Sequence, residues 1–259
     1  MKNSSTISAP DCHSEAWDSC AENSLRSNAL NSIVSELRLR IIYQQIPREM
    51  ILSEVTLAEQ YKVSRGSVRT VLQLLEKEGF IKVLKNGRKQ VVGLSAETLS
   101  TIWDLRNYVE CTAADKILSS VSRDVSPITQ VLSQIYSSGD SQLSLKKCIM
   151  MDMAIHRSIV LASNNYILLN VWDSISAVQV TLLQINANDW YKEEYVNQLI
   201  EVHKPLIFDL LQHNRDVIDK LVAHIDKGKG ICLSTIRQIE DGSLQYKWSS
   251  ENLITTAMN

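Results

Sequence analysis

In FIKVLKNGRKQVVGLS, residues 80–95, two runs that alternate apolar and polar residues flank Asn86-Gly87. That dipeptide between such runs is the strongest short signal for a β-hairpin. The residues before it have another period. Val68, Val71, Leu72 and Leu75 recur at helical spacing, Ser64 stands where an N-cap accepts free amides, and Gly79 supplies a stop, so a helix is expected over residues 65–78. Upstream, Ser53 precedes the small apolar face Val55, Leu57 and Ala58, which predicts a short second helix. Ile33, Val34, Leu37, Ile41 and Ile42 predict a first helix over residues 29–46, ended by Pro47, with residues 47–52 as a connector. Three helices followed by a basic-tipped hairpin make a winged helix-turn-helix, expected over residues 25–95.

Charge gathers on the same segment. The chain carries a formal net charge of −2, but between residues 25 and 95 twelve Lys or Arg face six Glu, a net +6, which leaves −8 for the remainder. A basic block inside an acidic chain points to a local anionic partner, nucleic acid first. In a helix-turn-helix the opening of the recognition helix meets base edges in the major groove, and its N-terminus grips phosphate. Arg65 and Arg69 stand one turn apart, facing away from the inward stripe, while Ser64, Gly66 and Ser67 are small enough to let the backbone approach a duplex. Gly87, Arg88 and Lys89 in the wing would add phosphate or minor-groove contacts. Two arginines on a surface helix can also do no more than meet solvent. Cap, spacing, hairpin and basic block together favour a double-stranded DNA operator.

After residue 95 the pattern becomes helical throughout, with segments expected at 96–120, 126–137, 141–162, 166–186, 191–213 and 215–239. The breaks fall at Pro127, Gly139-Asp140, Asn164-Asn165, Asn188-Asp189 and Asn214, which is turn chemistry. An all-α bundle over residues 96–240 follows, making the chain mainly α. Its apolar surface is expected to form a homodimer. Residues 1–24, rich in Ser, Asn, Asp and Ala, are expected as a mobile arm, and residues 241–259 as a tail. No run of about 18 apolar residues and no secretory start are present, so no membrane partner and a cytoplasmic location are expected. The five cysteines, Cys12, Cys20, Cys111, Cys148 and Cys232, are odd in number and scattered, which argues against a disulfide framework or a CxxC zinc site. GxSxG and GxxxxGK[ST] motifs are absent, and no enzyme is expected.

The histidines offer a second signal. In MMDMAIHRSIV, Asp152 and His156 stand at i and i+4 on one helix face, a spacing that lets a carboxylate and an imidazole meet one ion. His203 and His224 fall near the middles of two later helices. Taken singly, each is as well explained as a hydrogen-bonded core or surface residue. One Asp and three His together are enough ligands for a divalent transition metal, with zinc favoured and nickel, manganese and iron accepting the same donors. A catalytic zinc would also need an open position and a placed acid or base, and no glutamate near these motifs offers itself.

LSEVTLAEQYKVSRGSVRTVLQLLEKEGFI, with NGRKQVV, resembles the DNA-binding domain of GntR-type bacterial transcription regulators. Leu57-Ala58, Val63-Ser64-Arg65, Val68-Arg69 and Glu78-Gly79 match that pattern. Gly66-Ser67 stands where many relatives have Thr-Pro, and Val55 where some carry a DNA-contacting arginine, so the operator sequence does not carry over. The order Asp152-x-x-x-His156, Asn164-Asn165, Glu201-x-His203 and a last-helix His224 resembles the FadR-type C-terminal (FCD) effector domain, whose metal-binding members use an Asp and three His. LRNYVECTAADKIL resembles its first helix, in which an arginine and a glutamate, here Arg106 and Glu110, recur near the pocket. The resemblance implies a small organic acid held beside a buried metal, with Arg106 as an effector contact. A surface salt bridge from Arg106 to Glu110 is an equal reading. The expected function is a homodimeric regulator switched by such an acid. A metal sensor, in which the ion itself is the signal, is the rival. His13 and His213 have no place in either pattern.

Overall fold

The computed structural model describes residues 21–122, 124–137, 145–189 and 192–244. Helix α1 (Ala21–Ile42) leads into strand β1 (Ile51–Leu52), helices α2 (Glu54–Tyr61) and α3 (Arg65–Lys77), and strands β2 (Ile81–Val83) and β3 (Lys89–Val91). Both helix starts follow from their serines: Ser53 Oγ accepts the Thr56 amide at 3.3 Å, and Ser64 Oγ accepts the Ser67 amide at 3.1 Å. Val68, Val71, Leu72 and Leu75 of α3 are buried, as their period requires, against Leu37 of α1 and Phe80 before β2. Gly79 takes φ 82° at the end of α3 and Gly87 takes φ 78° in the hairpin, the left-handed region glycine tolerates best.

Two local expectations change. Helix α1 begins at Ala21, inside the stretch expected as an arm, whose residues 1–20 lie outside the described residues. It stops at Ile42 because Gln44 takes φ 55° and the Ile46 amide turns back to the Arg40 carbonyl at 3.1 Å, before Pro47 is reached. The expected connector contains β1, which joins the wing as an antiparallel third strand in the order β1-β3-β2, pairing Ile51 with Gln90 and Leu52 with Lys89. Two residues are too few to show alternation, so only pairing with a distant strand reveals it.

The rest of the described chain is helical: α4 (Ala96–Ser119), α5 (Ser126–Ser137), α6 (Leu145–Ala162), α7 (Tyr166–Asp189), α8 (Lys192–Leu211) and α9 (Asp216–Glu240). Helix α4 runs through the bundle, packed on α6, α7 and α9. Its approach to α9 is close because Gly228 faces the Trp103 ring, where a Cβ would come within 2.9 Å. Part of α7, Tyr166–Ile185, is long and apolar enough to cross a membrane, with mean hydropathy 1.3. It packs against α4, α6, α8 and α9, with 33% of that window buried. The expected tail is described only to residue 244.

Candidate functional site

Helix α3 turns its first residues outward. Arg65 and Gly66 are exposed, and Ser67 is half-buried with its hydroxyl 3.0 Å from that of Ser64, so the cap and its neighbour form one unit. Arg69 is exposed as expected but not free, since its Nε donates to Glu54 Oε2 of α2 at 2.8 Å. Gly87 and Arg88 stand at the wing tip, where the Arg88 amide donates to Asn86 Oδ1 at 3.1 Å. Lys89 is half-buried, and its ammonium meets Glu76 of α3 at 2.6 Å. It braces the wing against the helix, while Arg38 of α1 grips Glu78, just beyond α3, through two hydrogen bonds of 2.7 and 2.6 Å. The glutamates in these pairs escape a sequence reading, because a charge on a surface helix does not disclose which distant cation it will meet.

In the bundle, Asp152 and His156 of α6, His203 of α8 and His224 of α9 converge, with one ligand atom from each lying within 4.8 Å of the others. The Nε2 atom of His156 lies 3.1 Å from that of His203 and 3.2 Å from that of His224. The far sides of two rings are already committed: His156 Nδ1 donates to Glu110 Oε2 at 2.5 Å, and His203 Nδ1 donates to the Leu199 carbonyl at 2.6 Å. Each therefore turns an Nε2 lone pair inward. Burial holds the His156 imidazole below its usual pKa. Burial, with the neighbouring charges of His156 and His203, brings His224 down to about 3. Lone pairs facing one another at 3.1 Å repel unless a cation lies between them. An ion bound by nitrogens at about 2.0–2.1 Å holds adjacent nitrogens roughly 2.8–3.4 Å apart, from right-angled to tetrahedral geometry, a range in which these rings fall. The cluster could hold a divalent ion.

Beside it lies a buried polar network. Arg106 is 2% exposed, so it is not the surface group of a simple helix pair, although its Nε does donate to Glu110 Oε1 at 2.7 Å. Its other nitrogens reach Gln179 Oε1 at 3.5 Å and Asp152 Oδ2 at 4.0 Å. Trp172 Nε1 donates to Glu110 at 3.0 Å. Burial pushes the Glu110 carboxyl up, but the charges of His156 and Arg106 and the hydrogen bonds from His156 and Trp172 outweigh it and bring it to about 2. Asp152 is likewise held well below the carboxylate range, the upward push of burial being outweighed by its neighbours His203, His156 and Arg106. Trp172 and Gln179 carry no motif, and only packing brings them here. His213, with φ 60° after α8, is outside the cluster, and His13 lies outside the described residues.

Residues 30–91, the winged helix, match the family model of "Bacterial regulatory proteins, gntR family". The winged helix is a GntR-family domain, and the chain is a DNA-binding transcriptional regulator. A gluconate operon transcriptional repressor of Bacillus licheniformis is similar to this regulator at 25% identity over 249 residues, 93% of this chain and 92% of that protein. The Nta operon transcriptional regulator of Aminobacter aminovorans is 30% identical over 139 residues, 53% of this chain and 65% of that one. Among solved structures, E. coli McbR/YncC aligns over 83% of this chain and 99% of its own at a TM-score of 0.51 and 18% identity. Lar, which controls expression of the Listeria monocytogenes agr system, aligns over 77% and 96% at a TM-score of 0.52 and 14% identity. At such identities the structures support the shared fold.

Proposed function

We propose that this protein is a cytoplasmic, homodimeric regulator whose operator affinity is set by a small organic acid bound beside a divalent metal. Residues 25–95 would read DNA, and residues 96–240 would bind the effector and dimerise. Asp152, His156, His203 and His224 would hold the ion, zinc in the first instance. The observation that carries the reading is the inward convergence of imidazole lone pairs whose far sides are already hydrogen-bonded to Glu110 and the Leu199 carbonyl. An ion there would supply a positive centre for one carboxylate.

Charge supports the acid. With neutral imidazoles, Arg106 against Glu110 and Asp152 leaves one negative charge in the cluster, and a divalent ion changes this to one positive charge. A buried positive charge is costly without a counter-ion, and a monocarboxylate provides one. Arg106 would orient that carboxylate, and Glu110 would keep Arg106 and His156 in place. The names of two relatives make gluconate the first acid to test. At the other end, Arg65 and Arg69 would meet base edges, with Ser64, Gly66, Ser67, Gly87 and Arg88 close to the backbone and Lys89 bracing the wing. An acid can move operator affinity only as far as it prefers one arrangement of the dimer over the other.

The test is metal analysis of the purified protein beside His203→Ala and His224→Ala, followed by operator titration with and without gluconate. About one ion per chain, lost in both variants, with an acid-dependent shift in operator affinity only in the metal-loaded protein, is the expected result. Full operator control by the acid in metal-free protein would overturn the metal's role.

A further inference from the structure

We infer that Glu54 is a positioning residue for DNA reading: it holds Arg69 so that the guanidinium presents only its terminal Nη1 and Nη2 edge to the major groove. The inference rests on the base-reading role proposed above for α3. Glu54 is the first residue of α2, directly behind the Ser53 cap, and its Oε2 accepts Arg69 Nε at 2.8 Å across the turn between the two helices.

A free arginine can offer a guanine two parallel donors in two ways, side-on through Nε and one terminal nitrogen, or end-on through both terminal nitrogens. With Nε engaged, only the end-on edge remains. The side chain is thereby ordered before DNA arrives, and the carboxylate beside it repels phosphate, which disfavours a slide of Arg69 onto the backbone. Stability gains little, because the side chains of this pair are 64% and 30% exposed. The body of α3 does not depend on the pair either. Arg38 with Glu78 and Lys89 with Glu76 fix that region from α1 and β3. A change at Glu54 therefore reports on the arginine and leaves the helix in place.

The experiment is selection from a random DNA library, followed by sequencing, with the full-length protein and its Arg69→Ala, Glu54→Gln and double variants, each checked by thermal unfolding. Arg69→Ala should erase the preference for guanine at one base pair of each half-site. Glu54→Gln should cut discrimination at that same base pair about 3- to 10-fold, a part of what one bidentate contact supplies. It should leave other positions and the melting temperature unchanged, and the double variant should match Arg69→Ala alone. Three results for Glu54→Gln would overturn the inference while leaving the reading by Arg69 intact: a wild-type profile, uniform weakening with a lower melting temperature, or an effect additive to that of Arg69→Ala. An unchanged profile for Arg69→Ala would remove the base-reading role itself, and the inference with it.

Discussion

Arg69 and Arg106 each donate through Nε to a glutamate, at 2.8 and 2.7 Å, yet the first side chain is 64% exposed and the second 2%. On the winged helix water still solvates both partners, so the pair adds little stability. Inside the bundle no water replaces a lost partner, and Arg106, Glu110, His156 and Trp172 hold one another in a state none could keep alone. One charge pattern thus leaves a solvated pair on the winged helix and a fixed, buried network inside the bundle.

Glu110→Ala tests the dry side hardest, because it strips partners from Arg106, His156 and Trp172 at once. A loss of about 3–5 kcal/mol in urea unfolding is expected, against under about 1 kcal/mol for Glu54→Ala. Similar values for the two would erase the contrast. Gly228→Val, which drives a branched side chain into the Trp103 ring between α4 and α9, should cost about 1–3 kcal/mol through overpacking. Retained stability would mean that the two helices separate easily. Ser64→Ala removes the cap of α3 and should cost about 1 kcal/mol in the same measurement. The smallest change concerns the wing. Arg88→Met should flatten the dependence of log affinity on log salt by about 0.9, the value of one phosphate contact, whereas Lys89→Met should leave it nearly unchanged because Glu76 already neutralises that ammonium. Equal slopes for the two variants would show that Lys89 leaves Glu76 for the backbone of DNA.

Much of the fold was legible because it rests on local chemistry. Ser53 and Ser64 cap the helices they precede, and each accepts the amide three residues on. Asn86-Gly87 turns the hairpin, and the asparagines at 164 and 165 separate α6 from α7. The start of α1 was not legible, since polar residues 21–28 carry no apolar period to announce a helix, and neither was β1, whose two residues acquire meaning only beside β3. The candidate ligands were legible for another reason. Asp152 and His156 share a helix face by spacing alone, and few roles call for an aspartate and three histidines in otherwise apolar helices.

Local periodicity and turn chemistry decided where most helices begin and end, which faces they bury and where the basic charge lies, because such preferences act within a few residues of their source. Packing alone decided that Arg69 turns to Glu54, that Lys89 is a brace, that Arg106 is buried against Asp152, and that Trp172 and Gln179 join the cluster. These pairings cross 13 to 73 residues of sequence. A side chain's partner at that range is chosen by how whole helices fit together, and no window along the chain contains that choice.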